Sequence, residues 1–400
     1  MTDAQKTVVV TGIGAVSPYG IGLSSLQAGM LAGQCCLKPA TEFYPGFQGT
    51  VAAVGALPSH AEGHRYSRTD RLAMAAARDS VAEFSGPAST LRESGIVMAS
   101  TVAGLTEIDA EISRGPAAWY RQGGLSRAAS YPVSRVAASV GEHLGIEGPA
   151  CAVSVACASG AMAIALAANL LLDEAAPMVL AGGSDALCPF TLSGFNSLQA
   201  LDPEPCRPFD QNRKGLNIGE GAAVLVLETL ARAARRGARI LAVLRGWAMT
   251  NDATHPTAPH KDGLELACCI QRALEMAECG IEEVGYVNAH GTGTPLNDIA
   301  EAHAHESAFH GRSRPIPVSS TKSYFGHCLG AAGALEAAIT ITAMQSGALF
   351  PTLRLNNPIE SAGIDWLRGE LRRQPLPVAM SVSAGFGGSN AALVFGRPRA

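Results

Sequence analysis

One cysteine stands where a thiol could act as a nucleophile. Cys157 follows a β-branched run and precedes a stretch of alanines and leucines, in "VSVACASGAMAIALAANLLL" (153–172). A helix that is apolar on all faces must be buried, and its N-terminus places partial positive charge beneath the thiol. Small neighbours permit the strand-to-helix turn of a nucleophile elbow, which predicts a reactive thiolate. A buried structural cysteine is the alternative interpretation of this segment alone.

The second half of the chain offers groups that could serve such a nucleophile. The segment "VNAHGTGTPLND" (287–298) predicts a strand that ends near His290 and a loop that exposes its imidazole. The segment "SSTKSYFGHCLGAAGALE" (319–336) supplies Lys322 and His327 among glycines that allow close backbone approach. Each histidine alone is also compatible with a structural role.

Two further features complete the set. A lysine in apolar surroundings needs a partner, and Glu336 on the following helix is the candidate for Lys322. The loop "GFGG" (385–388) offers unobstructed backbone N–H groups. One thiol, two imidazoles, a Lys–Glu pair and a donor loop together are suited to acyl transfer.

Composition excludes several classes of function. Charged residues make up 16% of the chain, against about a quarter in an average domain, and the net charge is −4. No basic block suggests a nucleic-acid or anionic-membrane surface. The ten cysteines are scattered and no CxxC pair occurs, so we expect no disulfide framework, no metal and no cofactor. Without a signal peptide or an apolar stretch that could span a membrane, the sequence predicts a cytoplasmic location.

Alternating strand and helix patterns predict an α/β fold. Ala-rich segments long enough for helices separate the Val- and Ile-rich runs, and they lie at 70–84, 161–172, 264–278 and 331–345. Strands that are apolar on both faces require helices on each side, so a layered architecture follows. Cys157 and His327 each precede a small-residue helix, which predicts two copies of one α/β unit.

The predicted halves are residues 1–243, with the nucleophile, and 244–400, with both histidines. The polar, Pro-containing stretch 250–263 is interpreted as the connection between them. Gly12 and Gly14 resemble the start of a dinucleotide fingerprint, but the third glycine is missing, so we interpret "TGIGAVSPYG" as a tight structural turn after a strand.

Motifs along nearly the whole chain carry a family resemblance. They are "VVVTGIGAVSPYG", "ACASG", "AGGSDA", "CRPFDQNRKG", "NAHGTGT", "SSTKSYFGHCLGAAGALE" and "GFGGSN". In this order the set resembles the β-ketoacyl-acyl carrier protein synthases, and its Cys-His-His pattern is similar to the elongating branch of that family. The resemblance implies a thiolase-like fold, with a duplicated α-β-α-β-α layering of two pseudo-symmetric halves, and decarboxylative condensation of an acyl chain with malonyl units.

The resemblance also implies a role for each matching residue. Cys157 would take an acyl chain from the phosphopantetheine arm of a carrier protein. His290 and His327 would bind the malonyl thioester carbonyl as neutral imidazoles and stabilise the enolate. The N–H groups of Cys157 and Phe386 would form the oxyanion hole.

Further residues would support these groups. The Lys322–Glu336 pair would hold His327 and its surroundings in place. The residues implied around the substrate are Thr292 and Thr294 at the pantetheine, Phe195 as a gating aromatic beside Phe386, Asp298 in the supporting network, and Gly387 in the donor loop.

Some positions depart from the family pattern. Val382 and Ala384 replace an Asn and a Phe that are common in elongating synthases, which predicts a roomier or differently shaped channel. Gln199 stands where a basic carrier-docking residue is common, and segment 113–134 is unlike housekeeping versions. These departures favour a specialised polyketide or polyene pathway over primary fatty acid synthesis. The candidate docking residues for an acidic carrier protein are Arg65, Arg68 and Arg71.

The partners implied are an acyl carrier protein with phosphopantetheine-linked acyl and malonyl groups, and a second subunit. That subunit would be another copy of the chain or a chain-length-factor-like paralogue. The alternatives are a catalytically silent, pocket-shaping subunit, against which Cys157 argues, and a thiolase-like acyl-CoA enzyme, which would carry a second cysteine in its Gly-rich loop. The remaining alternative is a nucleotide-dependent oxidoreductase that binds its nucleotide at "TGIGAVSPYG".

Overall fold

Two sets of strands form the core of the molecule, which this computed structural model describes at residues 3–44, 47–57, 66–113, 115, 129 and 131–398. The strands of the first set are β1 (Val8–Ser17), β2 (Gly95–Ala99), β3 (Ala150–Val153), β4 (Val179–Asp185) and β5 (Gly221–Thr229). Those of the second set are β6 (Ala242–Asn251), β7 (Val284–Asn288), β8 (Ile316–Ser319), β9 (Ile364–Trp366), β10 (Val378–Gly385) and β11 (Ser389–Gly396). A short strand at Gly20–Ile21 pairs with the end of β1. The short strands outside these sets are Lys38–Pro39, Thr50–Ala52, Ile218–Gly219, Ala348–Leu349 and Arg372–Arg373.

The two sets repeat one topology. The first lies in the order β1-β5-β4-β2-β3, and the second in the order β6-β11-β10-β7-β8 with β9 beyond it. In each set the first two pairings are antiparallel and the next two are parallel. Strands β1 and β6 pair antiparallel and join the sets. The predicted duplication is therefore confirmed, while the exact boundary at 243/244 stays a prediction.

Helices cover both faces of the strands and separate the halves. They are α1 (Asp3–Lys6), α2 (Leu23–Leu31), α3 (Arg68–Ser80), α4 (Ala88–Arg92), α5 (Leu105–Ser113), α6 (Ser134–Leu144), α7 (Ser159–Leu172), α8 (Pro189–Ser197), α9 (Leu230–Arg235), α10 (Leu264–Met276), α11 (Pro295–Ala308), α12 (Lys322–Phe325) and α13 (Ala332–Ser346). Turns of 3₁₀ helix lie at Ala40–Glu42, Ile281–Glu283, Leu329–Ala331 and Phe386–Gly388.

The central layer consists of α7 and α13, which pack against each other and against strands of both sets. Helices α3 and α6 cover the outer face of the first set, and α10 with α11 covers the second. The central helices approach closely through small residues, because a Cβ on Gly160 would lie 2.7 Å from the Ala334 nitrogen and one on Gly333 2.6 Å from the Ala161 nitrogen. The predicted α-β-α-β-α layering is confirmed.

The interpretation of "TGIGAVSPYG" as a turn after a strand is wrong at its glycines. Gly12 and Gly14 lie inside β1, which runs to Ser17. A Cβ on Gly12 would lie 2.1 Å from the Ser80 carbonyl oxygen, and one on Gly14 would lie 1.9 Å from that of Ala76. These glycines therefore allow helix α3 to pack directly on the strand.

The stretch 250–263 does not connect the two halves, contrary to the prediction from the sequence. Its first residues end β6, which is already the first strand of the second set, and its last residue precedes α10. No helix within the described part of the chain is long and apolar enough to cross a membrane.

Candidate active site

Cys157 lies in a sharp turn between β3 and α7. Ala156, directly before it, has a φ of 48°, in the left-handed region that L-residues rarely adopt. The Ser159 hydroxyl, at the start of α7, accepts from the Val155 N–H at 2.8 Å and donates to the Ala156 carbonyl at 2.5 Å. The elbow predicted for Cys157 is therefore present, and it leaves the residue 8% exposed on the wall of a cavity.

Two buried imidazoles from the second half meet this thiol. His290 follows β7, and His327 lies between α12 and the 3₁₀ turn Leu329–Ala331. The Cys157 sulfur and one nitrogen of each ring lie within 4.8 Å of one another. The rings meet edge to face, with their centroids 5.2 Å apart. Residues that are distant in sequence and come from both halves thus converge on one site.

Lys322 holds His290 rather than His327. Its Nζ donates to the His290 carbonyl oxygen at 2.6 Å and lies 3.2 Å from Nδ1 of the same residue, while it also pairs with Glu336. The predicted Lys–Glu pair is present, but the prediction that it holds His327 is corrected. An ammonium donor at Nδ1 assigns the His290 proton to Nε2, which is the nitrogen left for a substrate.

Both imidazoles are held neutral. Burial lowers the pKa of His290 well below its usual value, and the charge of Lys322 and the neighbouring His327 ring lower it further. Burial and then Lys322 lower the pKa of His327 in the same direction. Neutral rings can each offer one N–H to a carbonyl oxygen, as the resemblance requires.

The backbone of His327 is fixed while its ring is not. Its N–H donates to the Asn217 carbonyl at 2.7 Å, and its carbonyl accepts from the Gly219 N–H at 3.0 Å. Within the described residues neither ring nitrogen has a hydrogen-bond partner, although the residue is only 1% exposed. A buried polar ring needs a hydrogen-bond partner, and the cavity that His327 lines can supply one as a water molecule or a substrate group.

Burial opposes ionisation of the Cys157 thiol. Burial raises its pKa to about 12, against the lowering effects of Lys322 and of a hydrogen bond from the Phe386 N–H. The helix N-terminus predicted a lowered pKa, whereas desolvation of the sulfur shifts the pKa in the opposite direction.

This pKa predicts slow, pH-dependent alkylation of Cys157. Only the thiolate reacts, so its alkylation rate should rise about tenfold per pH unit between roughly pH 6.5 and 9.5 without a plateau. Mass spectrometry of the Cys157 peptide after timed exposure to iodoacetamide measures the rate, with the exposed Cys35 as an internal comparison. A plateau below about pH 8 would show instead that the helix N-terminus sets the thiol pKa.

Two buried carboxylates organise the loop after His290. Asp298 accepts the N–H groups of Phe209 at 2.7 Å and of Thr292 and Gly293 at 3.1 Å. It does not line the cavity, so its predicted place among the substrate contacts is corrected to a loop anchor. Burial raises its pKa to about 6.

The second buried carboxylate was not predicted from the sequence. Glu301, also on α11, accepts the N–H groups of His290 and Gly291 at 2.6 Å each. Asp298 and Glu301 are three residues apart and therefore share one helix face. The three-residue spacing of these two carboxylates, directly after "HGTGT", was the feature of the sequence from which Glu301 could have been predicted.

A cavity of about 480 Å³ opens in front of these groups. Thr292 and Thr294 line it, and their hydroxyl oxygens lie 2.8 Å apart. Phe195 and Phe386 also line it, with stacked rings whose centroids are 5.6 Å apart. These four residues therefore line one cavity, and the roles that the resemblance implies for them, at the pantetheine and at the gate, stay predictions.

The Gly-rich loop contributes less than predicted. The Gly387 N–H donates to the Pro256 carbonyl at 2.7 Å, and Gly387 does not line the cavity, so the prediction that it binds substrate is corrected. Ala384 lines the cavity, as the predicted wider channel requires, whereas Val382 is fully buried in the core of the second half.

Residues of the 250–263 stretch form the opposite wall. Asp252 and His255 line the cavity, and Asp252 accepts from the Asn390 amide at 2.7 Å. The Asp252 N–H donates to the Gly388 carbonyl at 2.8 Å. This contact fixes the 250–263 stretch against the Gly-rich loop. Because the stretch was interpreted as a connection between the halves, Asp252 and His255 were not predicted as site residues.

The candidate docking residue Arg68 is already engaged. Its guanidinium forms an ion pair with Glu220, which is 1% exposed, and donates to the Val54 carbonyl at 2.7 Å. Arg68 is therefore a structural residue and not a free docking cation. Arg65 and most of segment 113–134 lie outside the described residues.

Removing Arg68 should destabilise the fold. Arg68→Ala leaves the Glu220 carboxylate buried without its cation, so we expect the free energy of unfolding to fall by about 3–5 kcal/mol in urea titrations. Arg78→Ala, on the exposed face of the same helix, is the matched control and should change it by less than about 0.5 kcal/mol. Equal stability of the two variants would contradict the structural role.

Fold and site together define a thiolase-like protein with a Cys-His-His centre. A family model for the beta-ketoacyl synthase N-terminal domain matches residues 5–233, and one for the C-terminal domain matches residues 241–356. The chain therefore belongs to the beta-ketoacyl synthase family.

Relatives and solved structures agree over nearly the full length. The chain is 37% identical to the oxytetracycline polyketide putative beta-ketoacyl synthase 1 of Streptomyces rimosus, over 99% of this chain and 98% of that one. It is 34% identical to the 3-oxoacyl-[acyl-carrier-protein] synthase 2 of a Synechocystis strain, over 98% of each. The ishigamide ketosynthase/chain length factor structure matches with a TM-score of 0.90 and 30% identity, covering 98% of this chain and 99% of that one.

Proposed function

We propose that this protein is an elongating β-ketoacyl-acyl carrier protein synthase. It joins a Cys157-bound acyl chain to malonyl carrier protein by decarboxylative Claisen condensation. The observation that carries the proposal is the convergence of one thiol and two neutral imidazoles within 4.8 Å on the wall of a cavity of about 480 Å³.

The first half-reaction is a thioester exchange. The Cys157 sulfur attacks the carbonyl carbon of the acyl carrier thioester, and the carrier thiol leaves with the proton that Cys157 gives up. The Phe386 N–H, which already donates toward the Cys157 sulfur, is placed to stabilise the oxyanion of this step. One such donor contributes about 3–4 kcal/mol to a transition state of this kind.

The second half-reaction uses the imidazoles. His290, through Nε2–H, and His327 donate to the thioester carbonyl of the malonyl group, and its carbon–carboxylate bond breaks with release of carbon dioxide. The resulting enolate carbon attacks the Cys157 thioester, and the Cys157 thiolate leaves and is reprotonated. The fixed donors stabilise charge that develops on the enolate oxygen.

A carrier protein and a second subunit belong to the same proposal. Thr292 and Thr294 would receive the phosphopantetheine arm that presents each substrate. The family contains structures of a ketosynthase with its chain length factor and of a ketosynthase with its acyl carrier protein. Strands β3 and β9 are the two ends of the sheet within the described strands, and β3, which leads to the Cys157 turn, is the edge that we propose for a partner. We propose a cytoplasmic location, as the sequence predicted.

We assign the chain to specialised polyketide or polyene synthesis. Ala384 in the cavity wall and the identity to polyketide synthases of Streptomyces support this assignment. A silent subunit is disfavoured by Cys157 and both histidines. A thiolase is disfavoured because no second cysteine lines the cavity among the described residues.

Reconstitution tests the proposed reaction. The protein, alone and with a cysteine-less paralogue, is incubated with acyl and malonyl carrier proteins, and the carrier is analysed by mass spectrometry. We expect a 3-oxoacyl product two carbons longer than the starting chain. Release of carbon dioxide without any elongated product, under every combination, would contradict the proposal in favour of the silent subunit.

A further inference from the structure

The three converging side chains have a second chemical property, which is independent of acyl transfer. We propose that Cys157, His290 and His327 also form a reversible site for a single Zn²⁺ ion, whose binding would inhibit the enzyme by occupying its nucleophile and both imidazoles at once. Binding of the ion does not depend on the proposed reaction, because it rests only on the positions and chemistry of the three groups. The inhibition rests on the proposed function.

The distances suit a small ion. Tetrahedral zinc, with bonds of about 2.3 Å to sulfur and about 2.0–2.1 Å to nitrogen, holds its ligand atoms roughly 3.3–3.6 Å apart. The sulfur and the two nitrogens lie within 4.8 Å of one another, so each pair needs to close by at most about 1.5 Å. The His327 ring has no hydrogen-bond partner in the described structure, so no such bond opposes its movement.

The donor set selects the metal. One thiolate and two imidazoles suit Zn²⁺, whereas Mg²⁺ and Ca²⁺ prefer oxygen ligands. Both imidazoles are neutral and therefore offer lone pairs. A zinc–sulfur bond replaces the sulfur–hydrogen bond of Cys157, and the proton is released to solvent without any redox change.

The surroundings set how the ion would sit. Lys322 lies 3.2 Å from Nδ1 of His290, so the metal would bind Nε2. The ring would take the tautomer with its proton on Nδ1, and Lys322 would give up that nitrogen and keep its hydrogen bonds to the His290 carbonyl and to Glu336. The ammonium is paired with Glu336, which offsets much of its repulsion of a cation. The fourth ligand position would face the cavity and take a water molecule, as in zinc sites with three protein ligands.

Cobalt titration tests the site without any acyl substrate. Co²⁺ added to the purified protein should give the visible bands of a four-coordinate ion and a sulfur-to-cobalt charge-transfer band, saturating at one equivalent. Zn²⁺ should displace it. Cys157→Ser should remove the charge-transfer band, and His327→Asn should weaken binding by at least about tenfold. Circular dichroism verifies that both variants are folded.

A matched control addresses the other cysteines. Cys35→Ser changes an exposed thiol outside the cavity and should leave the cobalt spectrum unchanged. Zn²⁺ should also protect Cys157 from iodoacetamide, and a chelator should restore alkylation. A charge-transfer band that persists in Cys157→Ser, or a wild-type protein with neither a band nor protection, would overturn the inference. Neither result would bear on whether condensation occurs.

Discussion

Cys157→Gln is expected to abolish condensation while malonyl decarboxylation continues. The substitution removes the atom that carries the acyl chain, so elongation should fall by at least about 10³-fold. The imidazoles that stabilise the enolate come from the second half and do not depend on the thiol for their position. Decarboxylation should therefore remain within about tenfold of the wild-type rate.

The two activities are measured in the same reaction, with elongated carrier detected by mass spectrometry and malonyl carrier conversion to acetyl carrier followed in parallel. Cys35→Ser is the control for loss of an unrelated thiol. If Cys157→Gln lost both activities while remaining folded, the division of labour between thiol and imidazoles would be wrong.

His327→Ala should have the complementary effect. It removes one of two N–H donors to the enolate oxygen, so we expect decarboxylation to fall by about 10²–10³-fold. Acylation of Cys157 needs no enolate and should persist. A stopped reaction with acyl carrier alone, followed by intact-mass analysis, reports acylation, while malonyl carrier alone reports decarboxylation.

His303→Ala is the matched control, since that histidine is exposed on α11 and is absent from the cavity lining. It should retain both activities. Unchanged decarboxylation in His327→Ala would mean that His290 alone stabilises the enolate. The unpartnered ring of His327 would then need another explanation.

The sequence predicted the architecture because its patterns are local. The apolar helix after Cys157 and the helix after His327 are recognisable from composition alone, and their similarity predicted the duplication. The glycines of β1 were misinterpreted because a glycine that admits a neighbouring helix looks the same in sequence as a glycine in a turn. Only the Ser80 and Ala76 carbonyls, which are distant in sequence, distinguish the two.

Contacts in the site were less predictable than its members. The pairing of Lys322 with Glu336 was predicted correctly. The imidazole that Lys322 contacts depends on how α12 is oriented toward the end of β7, which the sequence does not show. A contact of Asp185 was equally unpredictable from the sequence. This residue ends β4 in the first half, and it accepts the N–H of Gly330 in the second half at 2.7 Å. The helix N-terminus predicted a lowered thiol pKa, whereas burial of the sulfur raises it, and the sequence does not show which of the two effects is larger.

The most direct test of the account is to locate the acyl chain. The protein is incubated with an acyl carrier thioester, digested without reduction, and mapped by mass spectrometry. The account predicts one acyl thioester, on Cys157, that hydroxylamine releases and malonyl carrier consumes with formation of the elongated product. Condensation that proceeds without any acyl group on Cys157 would contradict it.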